Sequence, residues 1–408
     1  MMKTVYFIID APFGYISNGR ANWLYNIVEQ FENNANYKVS VICRSPYKRT
    51  KIYDLEKIKN AKISEIKFTD TKSIYFRFLD KASFRTFNLL RSFYFSLAST
   101  ITLSRIKEND IIFALNPGFE VLPGILLKKV LKKKITVFCV MKGLFAEEQY
   151  RRIGFLKKFF YRFERETLKA CDKIFSNGFD SKDYIYEKHN LKAIILPNGV
   201  NIKQYSEINN ENLYKDEEAF RKYKFILNQS KDKKIIMQIG SISEYKGINF
   251  LLSAVQELSK SRNDFILILI GKGTENVFYN NYINKNKLDG IVYMIDEIPS
   301  EFIKNFLAIA DMITNLSVFG IGISMATLES LAVQKINIAW DNKIYNQFLS
   351  GEEVVYVKNK DVKDLAEKIS SVLSDLNAYK RLAENGVKKA ETYDWENIYL
   401  KLLREINI

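Results

Sequence analysis

Gly320–Ala332 reads GIGISMATLESLA, and the fold and site readings both start from this stretch. It opens with alternating glycines and ends in a helix pattern. Ser324 stands where an N-cap belongs, with Met325, Leu328, Leu331 and Ala332 on one apolar face. A glycine loop that feeds a helix start presents backbone N–H groups and the positive end of a dipole. That combination suits a phosphate or another anion. Glu329 sits one turn in, within reach of polar groups on whatever the loop holds. The plain alternative is an ordinary turn, with Glu329 merely complementing the helix dipole.

At 408 residues the chain is too long for one typical core, so two domains are expected. An apolar content of 47% supports well-filled interiors. The three cysteines, Cys43, Cys139 and Cys171, are widely spaced and match no zinc pattern, which suits a reducing compartment. The single histidine, His189, stands in a polar context (YEKHN) and reads as a surface residue. A histidine-based metal site and a Ser-His-Asp triad are both excluded on that count, and no metal is expected.

The longest uncharged run near the N-terminal half, Ser92–Ser104, has 13 residues between two arginines, too few to span a bilayer. The N-terminus, MMKTVYFIIDAPFG, carries Asp10 and Pro12 and reads as a buried first strand, not a signal peptide. The expected location is the cytoplasm. With 62 basic against 47 acidic residues, the net charge of +15 calls for polyanionic partners. Gly154–Glu166, GFLKKFFYRFERE, interleaves aromatic side chains with Lys157, Lys158, Arg162 and Arg165. On a helix, Phe159 and Phe160 would share an aromatic face flanked by cations, as in interfacial helices. Ser73–Phe95 repeats the theme with Arg77, Lys81, Arg85 and Arg91. The expectation is peripheral contact with the inner face of the cytoplasmic membrane, through Lys157, Lys158, Phe159, Phe160 and Arg162. The alternative is a pair of core-facing helices with solvated basic backs. No helix-turn-helix or aromatic RNA-binding sheet is visible, so no nucleic-acid partner is expected.

Short β-branched runs alternate with helix patterns along the chain. Thr4–Ile9, Lys38–Ile42, Asp110–Leu115 and Lys134–Met141 read as strands, separated by helices near Asn22–Asn33, Phe119–Lys132 and Phe155–Ala170. Ile174–Asn177 and Ala193–Leu196 extend the series, and Pro197–Asn201 (PNGVN) is turn chemistry that closes it. After the polar stretch Ser206–Lys233 the pattern restarts. Lys234–Ile239, Phe265–Ile270, Ile291–Ile295, Met312–Leu316 and Ile336–Trp340 are strands, with helices at Gly247–Lys260, Asp361–Leu373, Leu376–Thr392 and Asp394–Ile408. Such alternation predicts an α/β protein with two Rossmann-like domains, doubly wound and facing a central cleft. The expected divisions are residues 1–197 and 198–393, with 394–408 packing back on the first.

The order Pro197-Asn-Gly-Val-Asn, Gly240…Lys246-Gly247, Ile270-Gly-Lys-Gly273, Ala310-Asp311 and Gly320…Glu329 resembles the family 4 nucleotide-sugar glycosyltransferases, which have the two-domain GT-B fold. The closing segment NGVKKAETYDWENIYLKLL and the early loop Gly14–Asn22 are also similar to that family. The resemblance runs over most of the chain and is loosest over residues 40–150. It implies an acceptor-binding first domain, a donor-binding second domain, and retaining transfer by front-face attack without a covalent enzyme intermediate. The implied donor is a nucleotide-diphosphate sugar. The implied acceptor is a saccharide, which the basic aromatic segments suggest is lipid-linked and held at an anionic membrane surface, as in polysaccharide or glycan assembly.

By that resemblance, Glu329 binds the donor ribose hydroxyls and Lys246 sits on the diphosphate, the two residues with catalytic standing. Gly240, Ser241, Gly271 and the backbone of Gly322, Ile323 and Ser324 line the donor, and Gly19 lets the N-terminal loop approach it. Arg20 and Lys142 are acceptor-side candidates. Each has a plainer alternative: Lys246 a solvated turn lysine, Gly19 a turn, Asn198–Gly199 a hinge. Three positions depart from the family pattern. Ser241 replaces an arginine, Ile321 replaces a first glutamate eight positions before Glu329, and CVMKG (Cys139–Gly143) occupies the place of a histidine. Arg20 or Lys272 could restore the missing charge. The resemblance implies no cofactor or metal, because the expected cation belongs to the protein. The rival reading is a GT-B protein that binds a sugar nucleotide or a partner without turnover.

Overall fold

The structure, a computed structural model, describes residues 3–14, 19–46, 58–67, 89–152, 156–318 and 322–406. The chain divides into two compact units, Met1–Pro197 with Tyr399–Ile408, and Asn198–Ile398. Each unit is an α/β layer structure around a parallel sheet, the predicted class.

The first unit holds seven parallel strands: β1 (Lys3–Ile9), β2 (Tyr37–Arg44), β3 (Lys62–Ile66), β4 (Ile111–Ala114), β5 (Thr136–Met141), β6 (Lys173–Ser176) and β7 (Ile194–Ile195). Their order is β3-β2-β1-β4-β5-β6-β7. Helices cover both faces, so the central strands are apolar throughout, and β4 is buried at every position. Phe7 on β1 stacks on Phe113 of β4 at 5.2 Å between ring centroids, and Phe138 and Phe175 continue the aromatic layer. The second unit holds β8 (Lys234–Ile239), β9 (Phe265–Ile270), β10 (Val292–Ile295), β11 (Met312–Asn315), β12 (Ile336–Asp341) and β13 (Val355–Lys358). Their order is β10-β9-β8-β11-β12-β13. The strand order reverses between β1 and β4 in the first sheet and between β8 and β11 in the second. Ligands of open α/β sheets settle at these reversals, outside the carboxyl ends of the strands.

Several elements differ from the sequence expectation. The helix expected over Phe119–Lys132 is a 3-10 turn, Gly118–Glu120, followed by a shorter helix, Leu122–Lys129. Gly118 has φ +83°, and Pro123 sits in the first turn of the helix that follows, which fixes its start there. The polar stretch Ser206–Lys233 carries two helices, Glu211–Lys215 and Glu217–Gln229. Strands β3 and β13 were not anticipated, and the helix read over Ser73–Phe95 is described from residue 89 and runs on to 102.

Two side chains lie where the sequence did not place them. In the helix Lys157–Lys169, Phe160 is 1% exposed and packs on Phe145 at 6.2 Å. Helical phase explains this: Phe160, Glu164, Thr167 and Leu168 form the buried stripe, so Phe160 cannot contact a membrane. Lys157, Lys158, Phe159 and Arg162 fall on the exposed faces. Residues 73–88 of the other basic aromatic segment lie outside the described residues. His189 is buried, not on the surface. It follows Ser181 and Ile185 on the inward face of the helix Phe179–His189. Its Nε2 lies 2.8 Å from Oε2 of the fully buried Glu164, which also accepts from the Tyr184 hydroxyl at 2.7 Å. The Ala146 N–H donates to the other carboxylate oxygen at 3.1 Å.

Removing one partner from such a cluster leaves the others buried and unpaired. Glu164→Leu should therefore destabilise the protein by about 3 kcal/mol, read as a fall in the urea midpoint. Glu164→Gln, which keeps an acceptor, should cost less. Equal midpoints for the wild type and Glu164→Leu would show that the cluster carries no stability.

Candidate functional site

The candidate site of the second unit is built from the ends of β8, β9 and β11. Gly240 ends β8 with φ +130°, and Gly271 ends β9 with φ +147°. A Cβ on Gly271 would lie 2.0 Å from the Gly240 carbonyl oxygen, so the two backbones touch there and only glycine fits. After β8 the chain makes a 3-10 turn, Glu244–Lys246, and enters the helix Ile248–Leu258 through Gly247. Gly247 has φ +72°, and a Cβ there would meet the Leu316 carbonyl oxygen at 2.2 Å. The Val318 N–H donates to the Tyr245 carbonyl at 3.0 Å. The loop after β8 and the loop after β11 are thereby fixed to one another.

Lys246 is placed by this arrangement. Its carbonyl accepts from Gln238 Nε2 at 2.7 Å, and Gln238 in turn accepts from the Thr314 hydroxyl at 2.9 Å. Its side chain runs beside Gly240, where a Cβ would be 3.6 Å from Lys246 Cε. Burial alone pushes its ammonium below the usual lysine range. Among the described residues no carboxylate pairs with it.

The helix Met325–Ala332 follows the glycine loop, as predicted, with Ser324 as its N-cap. Ser324 Oγ accepts from the Thr327 N–H at 3.1 Å. Beneath this turn lies a buried polar network. The Thr327 hydroxyl donates to Asn315 Oδ1 at 2.9 Å, Asn315 Nδ2 donates to Asn337 Oδ1 at 2.8 Å, and the Ser330 hydroxyl donates to the same Asn337 oxygen at 2.6 Å. The network ties the helix to β11 and β12. Asn198 Nδ2 donates to the Ile323 carbonyl at 2.8 Å, so PNGVN holds the glycine loop from the other side. Gly322 has φ +131°; Gly320 and Ile321 lie outside the described residues.

Glu329 lies near Tyr205 of the short helix Ile202–Ser206, which packs against the helix Met325–Ala332. Burial raises the Glu329 carboxyl to about 7, and the Tyr205 hydrogen bond opposes that rise. A carboxylate so placed can accept from two neighbouring hydroxyls. Tyr205 has no sequence spacing to Glu329 that would have revealed it.

The structure thus brings Gly240, Ser241, Lys246, Gly271, Gly322, Ile323, Ser324 and Glu329 into one unit, at the strand-order reversal between β8 and β11. Ser241 is exposed, its hydroxyl 3.1 Å from that of Ser243. Lys272 pairs with Glu297 at 3.4 Å on the surface. Gly19, Arg20 and Lys142 belong to the first unit. Gly19 opens the helix Gly19–Glu32, and a Cβ on it would meet nothing within 4 Å. Arg20 Nη1 lies 2.9 Å from Oε1 of the buried Glu120, which also accepts the Asp10 N–H at 2.8 Å. Burial raises Glu120 to about 7, against the pull of Arg20. Lys142 donates to Asn177 Oδ1 at 2.6 Å and stands 4.5 Å from the Trp23 ring centroid. Burial pushes it well below the usual lysine range.

Comparison with known proteins bears on the fold and on the second unit. Residues 219–389 match the family model of glycosyl transferases group 1. An uncharacterized glycosyltransferase of Methanocaldococcus jannaschii is 25% identical over 242 residues, which is 58% of this chain and 59% of that protein. The phosphatidylinositol N-acetylglucosaminyltransferase GPI3 subunit of Saccharomyces cerevisiae is 22% identical over 42% of this chain and 38% of its own length. The chain thus spans less than two thirds of either relative. The crystal structure of Anabaena HepE in complex with UDP superposes with a TM-score of 0.73 at 13% identity, over the whole of both chains. The same protein is also known with UDP-glucose. The fold is that of the GT-B glycosyltransferases, and the family match over the second unit supports a glycosyltransferase.

Gly271→Ala should disrupt the strand ends and destabilise the protein by about 2 kcal/mol or more, whereas Gly351→Ala, with nothing within 4 Å, should be neutral. Thermal denaturation of the two variants compares them directly. A neutral Gly271→Ala would contradict the close approach described.

Proposed function

We propose that this chain is a retaining glycosyltransferase of family 4. It transfers a hexose-type sugar from a nucleotide-diphosphate donor to a saccharide acceptor held at a membrane. The observation that carries the reading is that Lys246 and Glu329 lie in the same unit, on the elements that follow β8 and β11, the strands at its strand-order reversal. Glu329, one turn into a capped helix behind a glycine loop, accepts the ribose diol. Lys246, with no carboxylate partner among the described residues, receives the diphosphate and offsets the charge that develops on it as the bond to the sugar breaks. The acceptor hydroxyl attacks from the face that the nucleotide leaves, and the protein contributes positioning. Because the cation is the protein's own, we expect no essential metal and activity that persists in EDTA.

The acceptor side of the proposal rests on the surface of the first unit. On residues 89–102, Leu90, Phe93, Tyr94, Leu97 and Ile101 recur at helical spacing and are 41–74% exposed. Rings link this face to the helix Lys157–Lys169. Phe93 meets Phe119 at 6.4 Å, Phe119 meets Phe163 at 5.2 Å, and Phe163 stacks on the 56% exposed Phe159. Lys157, Lys158 and Arg162 flank it. Apolar side chains ringed by cations suit an anionic lipid surface. Among the described residues no helix is long and apolar enough to cross a membrane. A cytoplasmic protein peripheral to the inner face of the membrane, working in polysaccharide or glycan assembly on lipid-linked saccharides, fits both features. The likeness in part to a phosphatidylinositol-directed transferase points the same way.

The second reading is a sugar-nucleotide-binding protein without turnover. Ser241 favours it, since an exposed hydroxyl stands where the family carries a cation.

Thermal shift with UDP, GDP, ADP, CMP and their sugars should give a selective response. Lys246→Ala and Glu329→Gln should each weaken it by roughly 10-fold or more. A response unchanged in both variants would overturn the donor site, and binding without transfer to any lipid-linked saccharide would favour the second reading. Flotation should recover the protein with anionic vesicles and not with neutral ones. Phe159→Ser with Lys157→Glu and Lys158→Glu should abolish recovery, while Phe160, being internal, should matter only for stability.

A further inference from the structure

A cavity of about 740 Å³ lies in the first unit, at the amino ends of β1, β2 and β3. A strand rises about 3.3 Å per residue, so about 20 Å of sheet separates Thr4, which lines the cavity, from Asp10 at the other end. Ligands of open α/β sheets settle at the carboxyl ends, so this cavity stands apart from the sites described above. Side chains alternate along a strand, and the cavity collects one face of three strands. Tyr6 of β1 stands beside Ser40 of β2, and Ser40 beside Lys62 of β3; Lys38 and Ser64 lie two residues along on the same face. The other face of β2 is Val39, Val41 and Cys43, all buried in the core. A lysine on an edge strand such as β3 guards that edge. Lys38 and Ser40 have no such purpose, because β2 is paired on both sides.

Three exposed cations, Lys38, Lys62 and Arg105, line the cavity, and none has an ion-pair partner among the described residues. Glu32 is the carboxylate that lines it with them. Its Oε2 accepts the Asn60 N–H at 2.8 Å, which ties the end of the helix Gly19–Glu32 to the approach to β3. Its Oε1 has no hydrogen-bond partner among the described residues. Arg105 follows Leu97 and Ile101 at spacings of four, in the turn that ends the helix over residues 89–102, and Thr102 lines the cavity too. The lining thus adjoins the exposed apolar face that the proposed function sets against a membrane.

We propose that this cavity is a headgroup site for an anionic phospholipid whose headgroup carries hydroxyls, the chemistry of phosphatidylglycerol. It rests on the reading of the first unit as membrane-bound. Lys38, Lys62 and Arg105 hold the phosphodiester, and Glu32 and Ser64 meet the headgroup hydroxyls. The apolar face beside the cavity meets the acyl chains. Glu32 also supplies selectivity: a headgroup with a carboxylate of its own, as in phosphatidylserine, meets a like charge there.

The test is flotation with vesicles of phosphatidylcholine in which the same fraction is replaced by phosphatidylserine or by phosphatidylglycerol. Both anionic lipids carry one net negative charge, so attraction by charge alone recovers the protein equally from either. The wild type should bind phosphatidylglycerol vesicles roughly 5-fold more tightly than phosphatidylserine vesicles. Lys38→Ala with Lys62→Ala and Arg105→Ala should remove that preference and weaken phosphatidylglycerol binding by roughly 10-fold or more. Lys368→Ala with Lys380→Ala and Arg381→Ala takes the same charge from exposed positions of the second unit, and should change binding by less than about 2-fold. Glu32→Gln, which keeps an acceptor for Asn60, should narrow the preference by improving phosphatidylserine binding. Equal binding of the two lipids by the wild type, or equal losses in the two triple variants, would overturn the proposal. Calorimetric titration with glycerophosphoglycerol, the same headgroup without chains, separates a lipid from a soluble ligand. Binding that the first triple variant loses, with no preference between vesicles, would assign the cavity to a soluble phosphorylated polyol and overturn the lipid. No recovery with any vesicle would strike the membrane reading and this proposal with it, whereas recovery without preference strikes the headgroup site alone.

Discussion

The hydroxyl of Thr327 and the amides of Asn315 and Asn337 form the join on which the second unit's site depends. An Asn side chain buried on a strand is costly unless its donors and acceptors are met. Here the Asn315 and Asn337 amides, the Ser330 and Thr327 hydroxyls and the capping Ser324 satisfy one another through the first turns of a helix. An apolar join between that helix and β11 and β12 would tolerate sliding or rotation. A polar join of this kind specifies one register, because a slip would strand several polar groups at once. The position of Glu329 in the helix, and so its direction, follows from that register.

A second constraint is electrostatic. Lys246 and Glu329 are shifted in opposite directions by the same cause, burial, and in each case the shift favours the neutral form. Both are half-buried, yet among the described residues neither has an ion-pair partner. The site thus holds charge that is incompletely compensated, which disfavours the empty state. On the proposed reading, a ligand with a diphosphate at one end and a diol at the other would match each group with its complement. This is how binding free energy becomes selectivity: an uncharged sugar or a bare phosphate satisfies one group and leaves the other as it was.

Much of this was legible in the sequence, because the signals were local. The apolar runs at Lys234–Ile239 and Phe265–Ile270 became β8 and β9 at the bounds expected, and Ser324 caps the helix that its pattern announced. Gly240, Gly247 and Gly271 stood in the order of motifs that carried the resemblance, and only the structure shows what the backbones of Gly247 and Gly271 approach. What was not legible was phase and pairing. Phe160 and Phe159 are neighbours in an aromatic, basic run, and composition alone groups them. The 3.6-residue period sends one to the core and the other to solvent. His189 has polar neighbours, but its helical neighbours at four and eight positions before it are Ile185 and Ser181, both buried. Counting along the helix, not along the chain, would have placed it inside. Tyr205 and Asn198 lie more than a hundred residues from what they touch, and nothing in their surroundings hints at a partner.

The two units handle charge differently at the carboxyl ends of their strands. In the first, Asp10 and Glu120 are met by Arg44 and Arg20, and the Ser92 hydroxyl adds a hydrogen bond to Asp10. Those charges are largely cancelled before any ligand arrives. Lys142 there is half-buried between an amide and an indole ring, and burial lowers its ammonium below the usual lysine range. In the second unit the cation is left for the ligand. A surface whose charges are already paired offers hydrogen bonds and aromatic faces without net attraction for anions, which suits a neutral sugar. A surface with an unmatched cation suits a phosphate. The proposed division of acceptor to the first unit and donor to the second follows that difference. Moving Arg20 off Glu120 would leave that buried carboxylate with the Asp10 N–H alone, at a cost of about 3 kcal/mol. That cost offsets most of what a new phosphate contact would supply, about 1.5–3 kcal/mol for a charged hydrogen bond. Lys246 is the cation on which the donor reading must rest.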